Sequence, residues 1–476
     1  MKNEYRLKYH LISKEGLFVL PVNPFHINSM LHISSFCIFK RVSFSLQFLL
    51  FGLFLLIAPQ IHLSAQSLDK YLLEAAENNP NLKSKFFQYQ AALERVPQVG
   101  SLPDPQLSFG FFLMPMERYM GNQIAEASLI QMFPWFGTLG AAKDEMTFRA
   151  KAQYESFNEA KSILFYEVRA NWYALQLLES EIAITKEDME LLKTMEQIAM
   201  TRFKSGGSSM TNASQSNNTP STNDMSSNGN MIDVLRVQME INQLQNNLNL
   251  LEDNKIPLQA RFNQLLNRNL NESVSVVDSI VVASLPVPLN EIADSIKNNN
   301  PMLKMLEQEE EAFIAQGKMN KKVGLPMIGI GVQYGIFSPR ENSESSMNGQ
   351  NMLMPMATVT IPLWRKKYSS SVKESDFMHK SIIEQKKDAS NQLQVNYEDV
   401  LKDYKDAERR VELFQKQTAL ANQALNILIA QYSTQGSNFE EVLRMQQQLL
   451  NYRLKYLDAK IDKNMAVAMV QRLMGR

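Results

Sequence analysis

The chain of 476 residues has a single cysteine, Cys37, and five histidines, four of which (His10, His26, His32 and His62) precede residue 66. Beyond that point only His379 remains, in a polar helical stretch that reads as surface. Disulfides, thiolate metal sites and lipid attachment to a leading cysteine are thereby excluded from the bulk of the chain. A His/Cys zinc centre or a Ser-His-Asp triad has almost no material. Neither an enzyme nor a cofactor is expected. Charge of one sign is missing too. Lys+Arg and Asp+Glu are 49 each, so the formal net charge is 0 and nothing electrostatic favours nucleic acid. Hydrophobic content is an ordinary 45%, and long apolar runs are lacking apart from Val42 to Ala58. The chain is not a polytopic helical membrane protein.

That one run follows Lys40-Arg41 and precedes Leu63-Ser64-Ala65. Basic residues, an apolar core and a small residue in this order predict a secretory signal cleaved after Ala65. A membrane anchor is the other reading, because the run is near the spanning minimum. Residues before about Met30 read as an upstream extension, so 1–65 is taken as extension plus signal.

What is present is a repeat. Residues 233–238 read Asp-Val-Leu-Arg-Val-Gln, and residues 441–446 read Glu-Val-Leu-Arg-Met-Gln. Each phrase follows a glycine break, Gly206 or Gly436, and each opens a helical pattern. Pro80 and Pro301 are 221 residues apart, as are Pro105 and Pro326. Val234, Val237, Ile241, Leu244, Leu248 and Leu251 step by 3 and 4, the period of a coiled-coil seam. Val442, Met445, Leu449, Tyr452, Tyr456 and Ala459 repeat that seam 208 residues later, and Lys255 breaks it where Lys463 does. Repeat 1 is assigned to 66–285, with a hairpin at about 105–133 and helices at 138–206 and 231–267. Repeat 2 is assigned to 286–476, with a hairpin at about 326–361 and helices at 368–436 and 439–475. The linker at 268–288 is β-tinged. The Ser/Asn-rich stretch 207–230 has nothing to bury and reads as a flexible insertion.

The expected fold is mainly α with a small β part, two tandem repeats of helix, β-hairpin, long helix, helix. The strands alternate: Leu107, Phe109, Phe111 and Leu113 in the first, and Ile328, Ile330, Val332 and Tyr334 in the third. An ordinary soluble sheet packed on helices would explain alternation. The strands are also of bilayer-spanning length, about 9–11 residues, and Trp135, Phe136 and Trp364 sit where strand meets helix, as at a membrane interface. Four strands cannot close a barrel, and open edges are not tolerated in lipid. Three copies would give twelve strands and a closed ring.

In this order the chain resembles the TolC family of outer-membrane efflux proteins over about residues 67–476. The likeness is carried by Leu102-Pro103-Asp104-Pro105, Gln131-Met132-Phe133-Pro134-Trp135-Phe136-Gly137, Thr360-Ile361-Pro362-Leu363-Trp364 and the two Gly…Val-Leu turns. It implies a homotrimer in outer-membrane lipid, with a twelve-stranded β-barrel and a long periplasmic α-barrel. Such a trimer would be a passive exit duct for substrates brought by a periplasmic adaptor (membrane fusion protein) and an inner-membrane RND-type pump. It places a gate at the helix tips, near Gly206, Asp233, Arg236, Gly436, Glu440, Glu441 and Arg444, where Asp/Glu–Arg pairs between neighbouring helices are expected. Phe112-Leu113-Met114-Pro115-Met116-Glu117 resembles the branch paired with copper/silver-type pumps. Met114, Met116, Met352 and Met354 are candidate soft ligands, since thioethers suit Cu(I), although Met also fills irregular apolar gaps. Heavy-metal export, drug or solute export, type I secretion and a non-pore periplasmic coiled-coil scaffold remain as readings.

Overall fold

The computed structural model describes residues 63–207, 231–276, 280–342, 344–435 and 439–476. Cys37, all but the last three residues of the expected leader, the insertion from 208 on and Gly436 lie outside these residues. The described residues belong to one compact unit.

Repeat 1 begins with helices α1 (Leu63–Asn78) and α2 (Pro80–Gly100), followed by strands β1 (Gln106–Arg118) and β2 (Gly121–Phe133). A 70-residue helix, α3 (Thr138–Gly207), and the return helix α4 (Met231–Leu266) complete it. Repeat 2 has the same order: α5 (Leu289–Asn299), α6 (Pro301–Val323), β3 (Met327–Ser338), β4 (Met352–Thr360), α7 (Arg365–Gln435) and α8 (Phe439–Leu473). This is the expected fold class. The linker differs from expectation, because none of its described residues forms a strand. Its polar backbone is held by buried asparagines instead. Asn263 on α4 donates to the Leu270 and Glu272 carbonyls, at 3.0 and 2.7 Å. Asn464 on α8 donates to the Val281 carbonyl and accepts from the Ala283 amide.

Each repeat is tied from its start to its end by the same device. Asn79 and Asn300 precede proline, whose fixed φ suits the first helical turn. The Asn79 side chain caps α2 by accepting from the Leu82 amide, and its Nδ2 donates to the Leu265 carbonyl at the end of α4. Asn300 accepts from the Met302 and Leu303 amides and donates to the Leu473 carbonyl at the end of α8. Both receiving helices end in a left-handed residue, Asn267 (φ 54°) and Gly475 (φ 74°). The amides of Arg268 and Arg476 bond back five residues, to Asn263 and Gln471. That is a Schellman ending, and the asparagine amide takes one carbonyl it leaves open.

The helices form an open row. α3 packs against α2 and α6 and against α4 and α8, while α7 packs against α6 and α8. The expected seam faces inward, with Val234, Val237, Leu244 and Leu248 buried on α4 and Val442, Leu449 and Ala459 on α8. The two lysines that break the seam each pair with the long helix of their own repeat, Lys255 with Glu179 and Lys463 with Glu408. Large apolar side chains are left uncovered at the margins, among them Met239, Leu250 and Ile256 on α4 and Phe377, Val395 and Leu420 on α7.

Some acids are drawn into the helix layer. Burial, reinforced by Asp458, pushes the Glu181 carboxyl up to about 6 from 4.5. A carboxyl raised in this way contributes stability that is complete below the unfolded value and lost as pH rises through the folded one. Glu181→Gln is therefore expected to raise the thermal midpoint relative to wild type above pH 6 and to leave it unchanged below pH 4.5. Thermal scans across that window check this. Asn300→Ala is expected to lower unfolding stability by about 2–3 kcal/mol, by removing a helix cap and stranding a buried carbonyl. The exposed control Asn81→Ala is expected to stay within about 0.5 kcal/mol in the same denaturation assay.

Candidate functional site

The four strands form one antiparallel sheet in the order β1-β2-β3-β4. β1 and β4 are the two edges, each paired on one side only among the described residues. Register fixes which side chains share a face. Leu107 pairs with Leu129, Leu129 with Val332, and Val332 with Pro355; Phe109 pairs with Ala127, Ala127 with Tyr334, and Tyr334 with Leu353. This face is apolar across all four strands, and nothing among the described residues covers it: Phe109 is 65% exposed, Ile330 61% and Leu353 67%. A water-facing sheet would bear polar residues there.

At the helix-side end of the sheet stand Trp135 and Phe136 after β2 and Trp364 after β4. Phe136 and Trp364 are about four-fifths exposed, and Trp135 and Phe136 meet edge-on at 6.2 Å. Tyr119 is exposed in the β1–β2 turn. That turn is tight. A β-carbon on Gly121 (φ 118°) would lie 2.5 Å from the Ser338 carbonyl oxygen, and the Gly349 amide donates to the Met120 carbonyl, tying the two hairpin tips together.

The opposite face carries Gln106, Ser108, Glu126, Ser128, Gln333 and Thr358. Ser108 and Ser128 bond across strands at 2.6 Å. Gln123 and Gln333 both donate to Glu126 Oε2, at 3.1 and 2.6 Å, while Oε1 lies over Gly110. The strand methionines fall on this polar face: Met132 pairs with Gly329, Met327 with Thr360, and Met356, Met354 and Met352 with Gly331, Gln333 and Gly335. Met116 pairs with Gln123 beyond a register shift, and Met114 lies two residues before it within the shifted stretch. Met114 and Met116 are thus on one edge strand and Met352 and Met354 on the other, three strand spacings or about 14 Å apart. A single chain does not bring those four together. Met132 and Met356, two more of the hairpin methionines that the sequence offers as soft ligands, share this face, and Glu126 extends the sequence-derived site. Spacing alone gave their face but not their neighbours across the sheet.

At the far end, α3, α4, α7 and α8 meet around Leu192, Val234, Val237, Leu425, Phe439 and Val442. The repeated phrases begin here. Arg236 reaches from α4 to Glu440 on α8 at 3.1 Å, whereas Arg444 stays on its own helix, 3.0 Å from Glu441. Burial raises the Asp233 carboxyl, and Arg236 partly offsets this. Gly206 lies within the last turn of α3. The Tyr432 ring packs on Phe439 at 4.7 Å and carries the Arg202 guanidinium 5.0 Å above it. The glutamines that close the phrases also grip α3: Gln238 donates to Glu196 at 2.8 Å, and buried Gln446 to Asp188. Sequence reading singled out the arginines but not these two glutamines, whose acid partners lie 42 and 258 residues away. Among the described residues, no three His, Cys, Asp or Glu side chains gather to hold a metal ion, and no helix is long and apolar enough to cross a membrane.

No protein-family model matches the sequence, and no curated protein matches it. Solved structures do. The transmembrane channel protein CusC aligns with TM-score 0.67 at 15% identity, over 86% of this chain and 92% of its own. The outer-membrane protein VceC from the bacterial pathogen Vibrio cholerae aligns with TM-score 0.67 at 14% identity, over 87% of this chain and 97% of its own. The outer-membrane channel OprN gives 0.66 at 14% identity, over 86% and 90%. The chain has the fold of the TolC-type outer-membrane channels.

Proposed function

We propose that this protein is the outer-membrane channel of a tripartite exporter. It acts as a passive exit duct, with a homotrimeric β-barrel in lipid and its helices extending into the periplasm. The observation that carries this reading is the uncovered apolar face of the sheet. Fully burying one Leu, Ile or Phe side chain is worth about 1.5–3 kcal/mol, and an apolar face this continuous needs a cover. Lipid provides it, with Trp135, Phe136 and Trp364 as the interfacial band. The two bare edges then require partners, since unpaired backbone groups are not tolerated in hydrocarbon. β1 of one copy beside β4 of the next satisfies both edges, and three copies give twelve strands. The helix row has the same logic, because its uncovered margins on α4 and α7 can pack against a neighbouring copy.

The tip of the helices is the gate and the docking end for a periplasmic adaptor, which links the duct to an RND-type pump. Asp233, Arg236, Glu440, Glu441 and Arg444, with the turns at Gly206 and Gly436, belong to this end. For the cargo we favour a heavy-metal ion of the Cu(I)/Ag(I) class. The methionines gathered on the polar face support this, as does the resemblance of residues 112–117 to the branch serving copper/silver-type pumps.

The purified protein is expected to migrate as three chains and to conduct K+ in a planar lipid bilayer. Recovery in the soluble periplasmic fraction with a silent bilayer would overturn the channel and leave a coiled-coil scaffold. Replacing Arg236 and Glu440 together by alanine is expected to change stability by less than about 1 kcal/mol, because the pair is exposed. The same replacement should increase single-channel conductance. Unchanged conductance would place the constriction elsewhere.

A further inference from the structure

On a strand, methionine used only as apolar filler falls on either face. Here register puts Met132, Met327, Met352, Met354, Met356 and Met116 on the polar side. On β4 the sequence Met352-Leu353-Met354-Pro355-Met356-Ala357 assigns every methionine to that side and Leu, Pro and Ala to the apolar one. Ile130 and Phe337 also lie on this side, against Gly331 and Gly335, but on β4 only methionine and threonine fall there. The placement calls for another property of the thioether, and that property is softness toward monovalent metal ions.

The geometry adds to this. Gly329 and Gly331 form a short lane without side chains of its own on β3, ended by Gln333, and Gly331 and Gly335 lie directly beside Met356 and Met352 on β4. Met132 leans into that lane from β2, and a β-carbon on Gly329 would lie only 2.5 Å from its Sδ. Gly329 pairs with Thr358, so Met132 stands one level from Met356, about one strand spacing across and two residues along. Along β4 the methionine α-carbons step by about 7 Å, and three rotatable bonds per side chain let neighbouring sulfurs meet on one ion. The levels run in order from the helix side to the hairpin tips: Met327, Met132, Met356, Met354, Met352 and then Met116 across the sheet. Thioethers are neutral and cannot balance a cation. Glu126 stands at the level of Met352, across Gly335, with Oε2 held by two amides and Oε1 free of those bonds.

We infer that the polar face of this sheet is a transit ladder for a soft monovalent cation, Cu(I) or Ag(I). The ion passes between thioether ligands by exchange, with no change of oxidation state, and Glu126 supplies the opposing charge. This rests on the channel reading, which makes that face the bore. Exchange of weak neutral ligands suits conduction, where binding must be firm enough to enter and loose enough to leave.

The test uses the full protein in detergent and in planar bilayers, with Ag(I) from silver nitrate in halide-free buffer as the probe. Methyl-13C methionine spectra should show Ag(I)-dependent shifts, and titration should give the affinity. Replacing Met132, Met352, Met354 and Met356 together by leucine is expected to weaken Ag(I) binding by about 100-fold, with K+ conductance recorded on the same protein. Glu126→Gln is expected to weaken it by about tenfold. Leucine at Met239 and Met378, on α4 and α7, should change neither reading. A protein that conducts K+ but binds Ag(I) as tightly with the four leucines as without them overturns the ladder alone. A protein that conducts nothing overturns the channel reading and the ladder with it, whatever it binds.

Discussion

The sheet leaves one apolar face uncovered and two edges unpaired on their outer sides among the described residues, and the packing of every other element leaves that mismatch standing. β1 to β4 pair well with one another, and their glutamate, glutamines and serines bond across strands on one side. The other side offers Phe109, Ile330 and Leu353 to the surroundings. Water is a poor neighbour for that face, and lipid is a poor neighbour for the edges. A ring of copies in a bilayer answers both. The helices repeat the problem at lower cost. Their backbone is satisfied internally, so only apolar margins on α4 and α7 need covering.

Within one chain, a set of local devices holds the two repeats in shape. The Asn-Pro caps close each repeat on its own last helix, Asn79 on Leu265 and Asn300 on Leu473. Buried Asn263 and Asn464 then hold the linker, none of whose described residues pairs in a strand. The repeats diverge where they meet at the tip. Arg236 crosses to Glu440, while Arg444 pairs along its own helix. Both closing glutamines reach α3, so the two phrases are alike in sequence and unlike in partners.

Much of this was legible in the sequence for physical reasons. Alternation by two gave the strands and their faces, steps of three and four gave the buried seams, and duplication fixed the order. The paired lysines 255 and 463 stood out as breaks in the seam. What spacing could not give was long-range pairing. Gln446 with Asp188, Glu126 with Gln333, and Met132 over Gly329 each depend on the register between distant segments. The linker's valines invited a strand reading, because composition cannot reveal that an asparagine elsewhere will satisfy the backbone.

The most direct test of the central claim is the environment of alternate strand residues in the assembled protein. Single cysteines at Phe109, Ile330 and Leu353, and at Ser108, Gln333 and Met354, would carry a fluorophore in a lipid bilayer. If the sheet spans lipid as part of a closed ring, the first three are quenched by a lipid-soluble agent and the second three only by a water-soluble one. Equal quenching of both sets by the water-soluble agent would contradict it.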